Sequence, residues 1–108
     1  IPVNIKEFRN KKIFAFAGIG NPNNFFKLLS DNGLNIKEKI SFPDHYKFSK
    51  LEIKKIVDKC LKDNFEIITT EKDYFRIKDY GFKNIKFLKL KLEIIKKDKL
   101  INQILSLL

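Results

Sequence analysis

Cysteine is nearly absent: Cys60 stands alone, so no internal disulfide can form. A small chain without a disulfide framework reads as belonging to a reducing compartment. Cys60 also follows Ile53, Ile56 and Val57 at helical spacing, which predicts a buried core residue rather than a reactive thiol. Arginine is almost as scarce, with Arg9 and Arg76 alone among 23 basic residues. The net charge of +10 therefore comes from lysines spread along the whole chain. Guanine readout and bidentate phosphate clamping favour arginine, so this charge is read as solvated surface and no nucleic-acid partner is expected. No apolar run approaches the ~18 residues of a membrane span, so any membrane association is expected to be peripheral. The sequence opens at Ile1 with no initiator methionine and no secretory leader, which predicts a piece cut from a longer protein.

What is present is the alternation of an α/β domain. With 108 residues, 44% of them hydrophobic, one core and one domain over 1–108 are expected. Ile13 to Ala17 is a short apolar run of the kind buried on both faces of a sheet. A helix should follow, capped by Asn21, with Pro22 in its first turn, an inward face of Phe25, Phe26, Leu28 and Leu29, and Gly33 closing it. Leu34 to Phe42 alternates apolar and polar residues as a strand with one wetter face, and Pro43 ends it. Ser49 and Glu52 form a capping box that predicts a helix from about Lys50 to Lys62. Phe65 to Thr69 reads as a strand, and Thr70 with Asp73 restarts a helix carrying Tyr74, Phe75 and Ile77. Ile85 to Ile94 reads as a further strand, and an amphipathic helix from Asp98 as the last element. The fold class is thus α/β, a three-layer, mostly parallel sheet with helices on both faces.

In such sheets the strand-to-helix turns emerge at the carboxyl edge, where ligands bind. Three turns should share that rim. Gly18-Ile19-Gly20-Asn21-Pro22 lets the backbone turn sharply and leaves room for close approach by another backbone or a phosphate. As a dinucleotide fingerprint it is poor, since GxGxxG needs glycine where Asn23 stands. Pro43-Asp44-His45-Tyr46 holds the one histidine, at a loop position suited to handling protons near neutral pH. Asp44 is not expected to partner His45, because adjacent side chains of an extended chain point apart. With no two metal ligands at helical spacing, a zinc site is rejected. Thr69-Thr70-Glu71-Lys72-Asp73 brings a cap, two carboxylates and a lysine to the start of a helix. Lys72, a cation at the positive end of a helix, hints at an anionic partner from elsewhere in the protein.

Taken in order, GIGNP with Phe25 and Phe26, then Phe42-Pro43-Asp44-His45, then Thr69-Thr70-Glu71-Lys72-Asp73 resemble the carboxy-terminal domain of the tetraacyldisaccharide 4'-kinases of lipid A assembly. The likeness runs from about Lys12 to Ile77 and rests on those three ordered motifs. It implies transfer of the ATP γ-phosphate to the 4'-hydroxyl of a tetraacylated disaccharide 1-phosphate, the lipid A precursor, on the cytoplasmic face of the Gram-negative inner membrane. By the same resemblance His45 pairs with an aspartate of an amino-terminal domain, the base for the sugar hydroxyl; from their place on the shared rim, Gly18, Gly20, Asn21, Asp44, Glu71, Lys72 and Asp73 are expected to line the interdomain or substrate cleft. No GxxxxGK[ST] occurs in the sequence. ATP and Mg2+ are therefore expected mainly on a missing amino-terminal P-loop domain, and the chain alone is expected to be inactive. Tyr46 and the bulky Tyr74-Phe75-Arg76 depart from the family's usual pattern. Two other readings stay open from the residues themselves: a free-standing nucleotide- or dinucleotide-binding α/β domain, and a basic module for nucleic acid or membrane.

Overall fold

The structure, a computed structural model, describes residues 2–3 and 5–88. In chain order these form β1 (Pro2–Val3), a 3-10 turn (Ile5–Phe8), β2 (Lys12–Ala17), α1 (Pro22–Asp31), β3 (Asn35–Ser41), α2 (Lys50–Asp63), β4 (Glu66–Thr69), α3 (Glu71–Ile77), a second 3-10 turn (Lys78–Tyr80) and β5 (Ile85–Leu88). The expected last helix from Asp98, and the expected strand beyond Leu88, lie outside the described residues.

Every pairing is parallel, in a five-stranded sheet of order β1-β5-β4-β2-β3. The centre of that sheet explains the apolar run at Ile13–Ala17. On one face Ile13, Ala15 and Ala17 pack with Phe25, Phe26, Leu28 and Leu29 of α1 and with Phe8. On the other, Phe14 and Phe16 pack with Ile53, Val57 and Cys60 of α2 and with Ile77 of α3. Helices cover both faces, so each residue of the strand finds an apolar neighbour whichever way its Cβ points. Burying Phe14 or Phe16 contributes roughly 1.5–3 kcal/mol each.

The helix signals act as the sequence suggests. Asn21 caps α1, Pro22 occupies its first turn, and Gly33 follows the end of the helix at φ 82°, its N–H bonded to the Ser30 carbonyl. The capping box of α2 is complete: Ser49 Oγ accepts from the Glu52 N–H, and Glu52 Oε1 accepts from the Ser49 N–H. Two features depart from expectation. An amino-terminal strand, β1, extends the sheet by pairing with β5; at two residues it is too short to leave a periodic pattern. β3 is wetter than its alternation suggests, with Ile40 39% exposed, because among the described residues it is an edge strand.

Register decides where the turns go. Ala17 lies opposite Ser41, Phe16 opposite Thr69, and Thr69 opposite Phe87, so β2, β3, β4 and β5 end level with one another. From the adjacent strands β2 and β4 the chain leaves toward opposite sides, to β3 through α1 on one face and to β5 past α3 on the other. That divergence opens a crevice at the carboxyl edge between Gly18 and Thr70.

Candidate functional site

The crevice is closed by a side chain of the protein itself. Asp73, wholly buried in the first turn of α3, reaches under the β2 turn and accepts a 2.9 Å hydrogen bond from the Gly18 N–H and a 2.7 Å bond from the Thr70 hydroxyl. Thr70 caps the helix, its Oγ1 accepting from the Asp73 N–H at 3.1 Å. A carboxylate at the amino end of a helix is favoured by the unpaired N–H groups there. Glycine at position 18 gives this contact its room: a Cβ would stand 3.2 Å from Asp73 Oδ1 and 3.4 Å from both the Phe48 ring and the Pro43 carbonyl oxygen.

Arg76, one turn further along α3, ties the three corners together. Its Nη1 donates to the Gly18 carbonyl at 2.8 Å and to Asp73 Oδ1 at 3.2 Å. Its Nη2 lies 3.2 Å from His45 Nδ1. The shared border expected of the glycine, histidine and TEKD turns is therefore observed, with an arginine as the tie.

His45 sits at the tip of a tight turn closed by the Tyr46 N–H on the Pro43 carbonyl. Its φ of 60° places it in the left-handed region, which a β-carbon makes unfavourable by about 1–2 kcal/mol. The ring is 82% exposed at the rim, and its Nε2 lies 3.6 Å from Asp44 Oδ2. The expectation that Asp44 points away from His45 is thus corrected: the chain is not extended here, and the left-handed turn brings the neighbouring side chains to one side. The turn is anchored from below. Phe42 stacks on Tyr46 with Phe48 edge-on to both, and the Tyr46 hydroxyl donates to Glu52 Oε2 at 2.6 Å. That hydrogen bond holds Glu52 below the usual carboxylate range, with help from the Ser49 N–H, and raises the Tyr46 phenol.

The remaining rim residues fall into two groups. Gly20 and Asp44 adjoin, with Asp44 Oδ2 3.5 Å from where a Gly20 Cβ would be, and Glu71 and Lys72 are exposed. Asn21 and Asp73, in contrast, are engaged within the fold, the first capping α1 through the Asn24 N–H and the second in the crevice. Arg76 is the site residue that sequence reasoning passed over. Its scarcity, and its i,i+3 spacing from Asp73, were the available signals. Cys60 is buried in the α2 face, and desolvation pushes its thiol up to about 11, as a core residue requires.

At Gly18 the crevice shows no free glycine N–H of the kind that cradles a nucleotide phosphate. The Gly18 N–H that would meet it is already bonded to Asp73, and an anion would face that carboxylate. Among the described residues no group of three or more His, Cys, Asp or Glu side chains gathers to hold a metal ion, and no helix is long and apolar enough to cross a membrane. The rim offers instead an exposed imidazole on a rigid, arginine-braced support, a group able to orient or exchange a proton with something brought to it.

Comparison with known proteins gives this rim its setting. The family model described as tetraacyldisaccharide-1-P 4'-kinase matches residues 2–108. The tetraacyldisaccharide 4'-kinase of Pelagibacter ubique (strain HTCC1062) is 38% identical over 108 residues, 99% of this chain and 34% of that protein. Its counterpart in Rickettsia bellii (strain OSU 85-389) is 44% identical over 71 residues, 66% of this chain and 22% of the relative. That of Bartonella quintana (strain Toulouse) is 41% identical over 71 residues, 66% of this chain and 21% of the relative. The chain spans about a third or less of the length of these curated relatives. No solved structure matches it. With nearly its whole length matched and its three rim motifs on one border, the chain belongs to the tetraacyldisaccharide-1-P 4'-kinase family.

Proposed function

We propose that this chain is the carboxy-terminal part of a kinase that transfers the ATP γ-phosphate to the 4'-hydroxyl of tetraacyldisaccharide 1-phosphate in lipid A biosynthesis. Its carboxyl rim faces an amino-terminal P-loop domain across a cleft, at the cytoplasmic surface of the inner membrane. ATP and Mg2+ belong to that other domain, which supplies the phosphate cradle this sequence lacks.

The observation that carries the reading is His45: an exposed imidazole held in an unfavourable backbone conformation, on a turn braced by Arg76 from below. Strain at an exposed polar residue persists where a fixed heading matters more than local stability. In phosphoryl transfer the protein's task is positioning and charge stabilisation. His45 performs the first: it hydrogen-bonds an aspartate of the facing domain and orients that carboxylate toward the sugar hydroxyl, whose proton the carboxylate accepts as the oxygen attacks phosphorus. Gly20 and Asp44 beside it, with Glu71 and Lys72 further along the rim, line the cleft; Gly18, Asn21 and Asp73 hold the rim in shape. A free-standing dinucleotide domain is disfavoured by the Asp73 carboxylate, which already takes the Gly18 N–H of the glycine turn.

The test is His45→Ala in the full-length enzyme. The expected outcome is a fall in kcat of roughly 10²-fold, within the usual range for proton-handling groups, with the KM for ATP and the melting temperature nearly unchanged. Wild-type turnover in that variant refutes the role.

A further inference from the structure

We propose that Arg76 is a positioning residue that fixes the tautomer of His45, so that the imidazole presents Nε2–H outward as a hydrogen-bond donor. This rests on the functional reading above, which it narrows: His45 gives a proton-bearing nitrogen to its carboxylate partner and is not itself the base.

The deduction needs only donors and acceptors. A guanidinium carries five N–H groups and no acceptor, and it does not deprotonate in proteins. Its Nη2 stands 3.2 Å from His45 Nδ1, so Nδ1 must supply a lone pair. In the neutral ring the proton then resides on Nε2. Arg76 cannot turn away from this duty, because Nη1 is bonded to the Gly18 carbonyl and to Asp73 Oδ1, joining β2 to α3. Asp73 is itself held by the Gly18 N–H and the Thr70 hydroxyl. The heading of the imidazole therefore derives from the core of the sheet through three side chains.

On the outward side, Nε2–H has Asp44 Oδ2 at 3.6 Å, too long for a good hydrogen bond. Asp44 is half exposed and marks the direction in which a better-placed carboxylate is received. A carboxylate arriving from a facing domain meets a donor there, and the hydrogen bond orients it without taking its basicity away through full proton transfer.

The chain's one histidine makes the test direct. Long-range 1H–15N correlation spectra of the neutral imidazole should show Nδ1 unprotonated and Nε2 protonated. In Arg76→Met a measurable Nδ1–H population should appear. Arg76→Lys guards against a folding defect, since one ammonium can stay with Asp73 and the Gly18 carbonyl but cannot also reach His45. It should fold and show the same mixed tautomers. In the full-length enzyme Arg76→Lys should lower kcat by roughly tenfold, about 1.4 kcal/mol, with the KM for ATP unchanged. A tautomer spectrum in Arg76→Lys identical to that of the wild type overturns the inference, as does unchanged kcat when His45→Ala is impaired. Unchanged kcat in His45→Ala refutes instead the functional reading, and the spectra still decide what Arg76 does to the ring.

Discussion

Two glycines in one turn should respond oppositely to the same added methyl group. At Gly18 a Cβ meets Asp73 Oδ1 at 3.2 Å, with the Phe48 ring and the Pro43 carbonyl oxygen at 3.4 Å. None of these neighbours can yield easily. The carboxylate is fixed by the Gly18 N–H, the Thr70 hydroxyl and Arg76, and Phe48 is wedged edge-on against Phe16 and Phe42. Overpacking of this kind costs about 1–3 kcal/mol. At Gly20 the single near neighbour is Asp44, at 3.5 Å, a half-exposed side chain free to swing aside. Neither glycine has a positive φ, so alanine strains neither backbone. Alanine also restricts the unfolded chain, which stabilises by about 0.4–1 kcal/mol. Gly18→Ala should therefore lose about 1–2 kcal/mol, while Gly20→Ala holds level or gains up to about 1 kcal/mol. In a domain of this size 1 kcal/mol moves the melting temperature by roughly 4–8 °C. Thermal unfolding followed by circular dichroism separates the two variants readily. If Gly18→Ala melts with the wild type, or Gly20→Ala falls as far as Gly18→Ala, the closed crevice is wrong.

Two other consequences concern titration and reactivity. Glu52 is lowered first by the Tyr46 hydroxyl and then by the Ser49 N–H, so its ionised form favours the folded state; that contribution is complete above the ordinary carboxylate range and is lost as pH falls through the lowered value. Tyr46→Phe should raise the Glu52 midpoint in a carboxyl 13C NMR titration, and an unmoved midpoint contradicts the hydrogen bond as its cause. Cys60, buried and raised to about 11, should resist a maleimide near pH 8 and become reactive only with unfolding, at a rate that urea accelerates; prompt labelling of the folded chain disproves its place in the core.

What could be read in the residues was the part written locally. The Ile13–Ala17 run, the Ser49–Glu52 box and the Asn21–Pro22 start each occupy a few consecutive positions, and each forms as its chemistry requires. The common border of the three turns followed from parallel topology alone. What stayed hidden depends on long-range contact. Arg76 reaches across 58 positions to Gly18 and 31 to His45, and no spacing rule links such residues. The nearness of Asp44 to His45 was missed because the left-handed conformation at His45 is set by the turn around it, and the residue type favours it only weakly. β1 escaped notice because its identity lies in its pairing with β5, not in its own two residues.

The outermost strand gives the abundant lysines a use that no ligand is needed to explain. Among the described residues β3 pairs with a neighbouring strand on one side only, and such an edge is a template onto which another extended chain can dock. Lys37 and Lys39 are exposed along it, Lys39 with its ammonium 5.7 Å from the centre of the Phe26 ring, and Glu38 is already engaged by Lys59 of α2 at 2.7 Å. A second copy aligning there would bring ammonium groups face to face in water. Positive charge along an edge strand of this kind disfavours its pairing with a like edge.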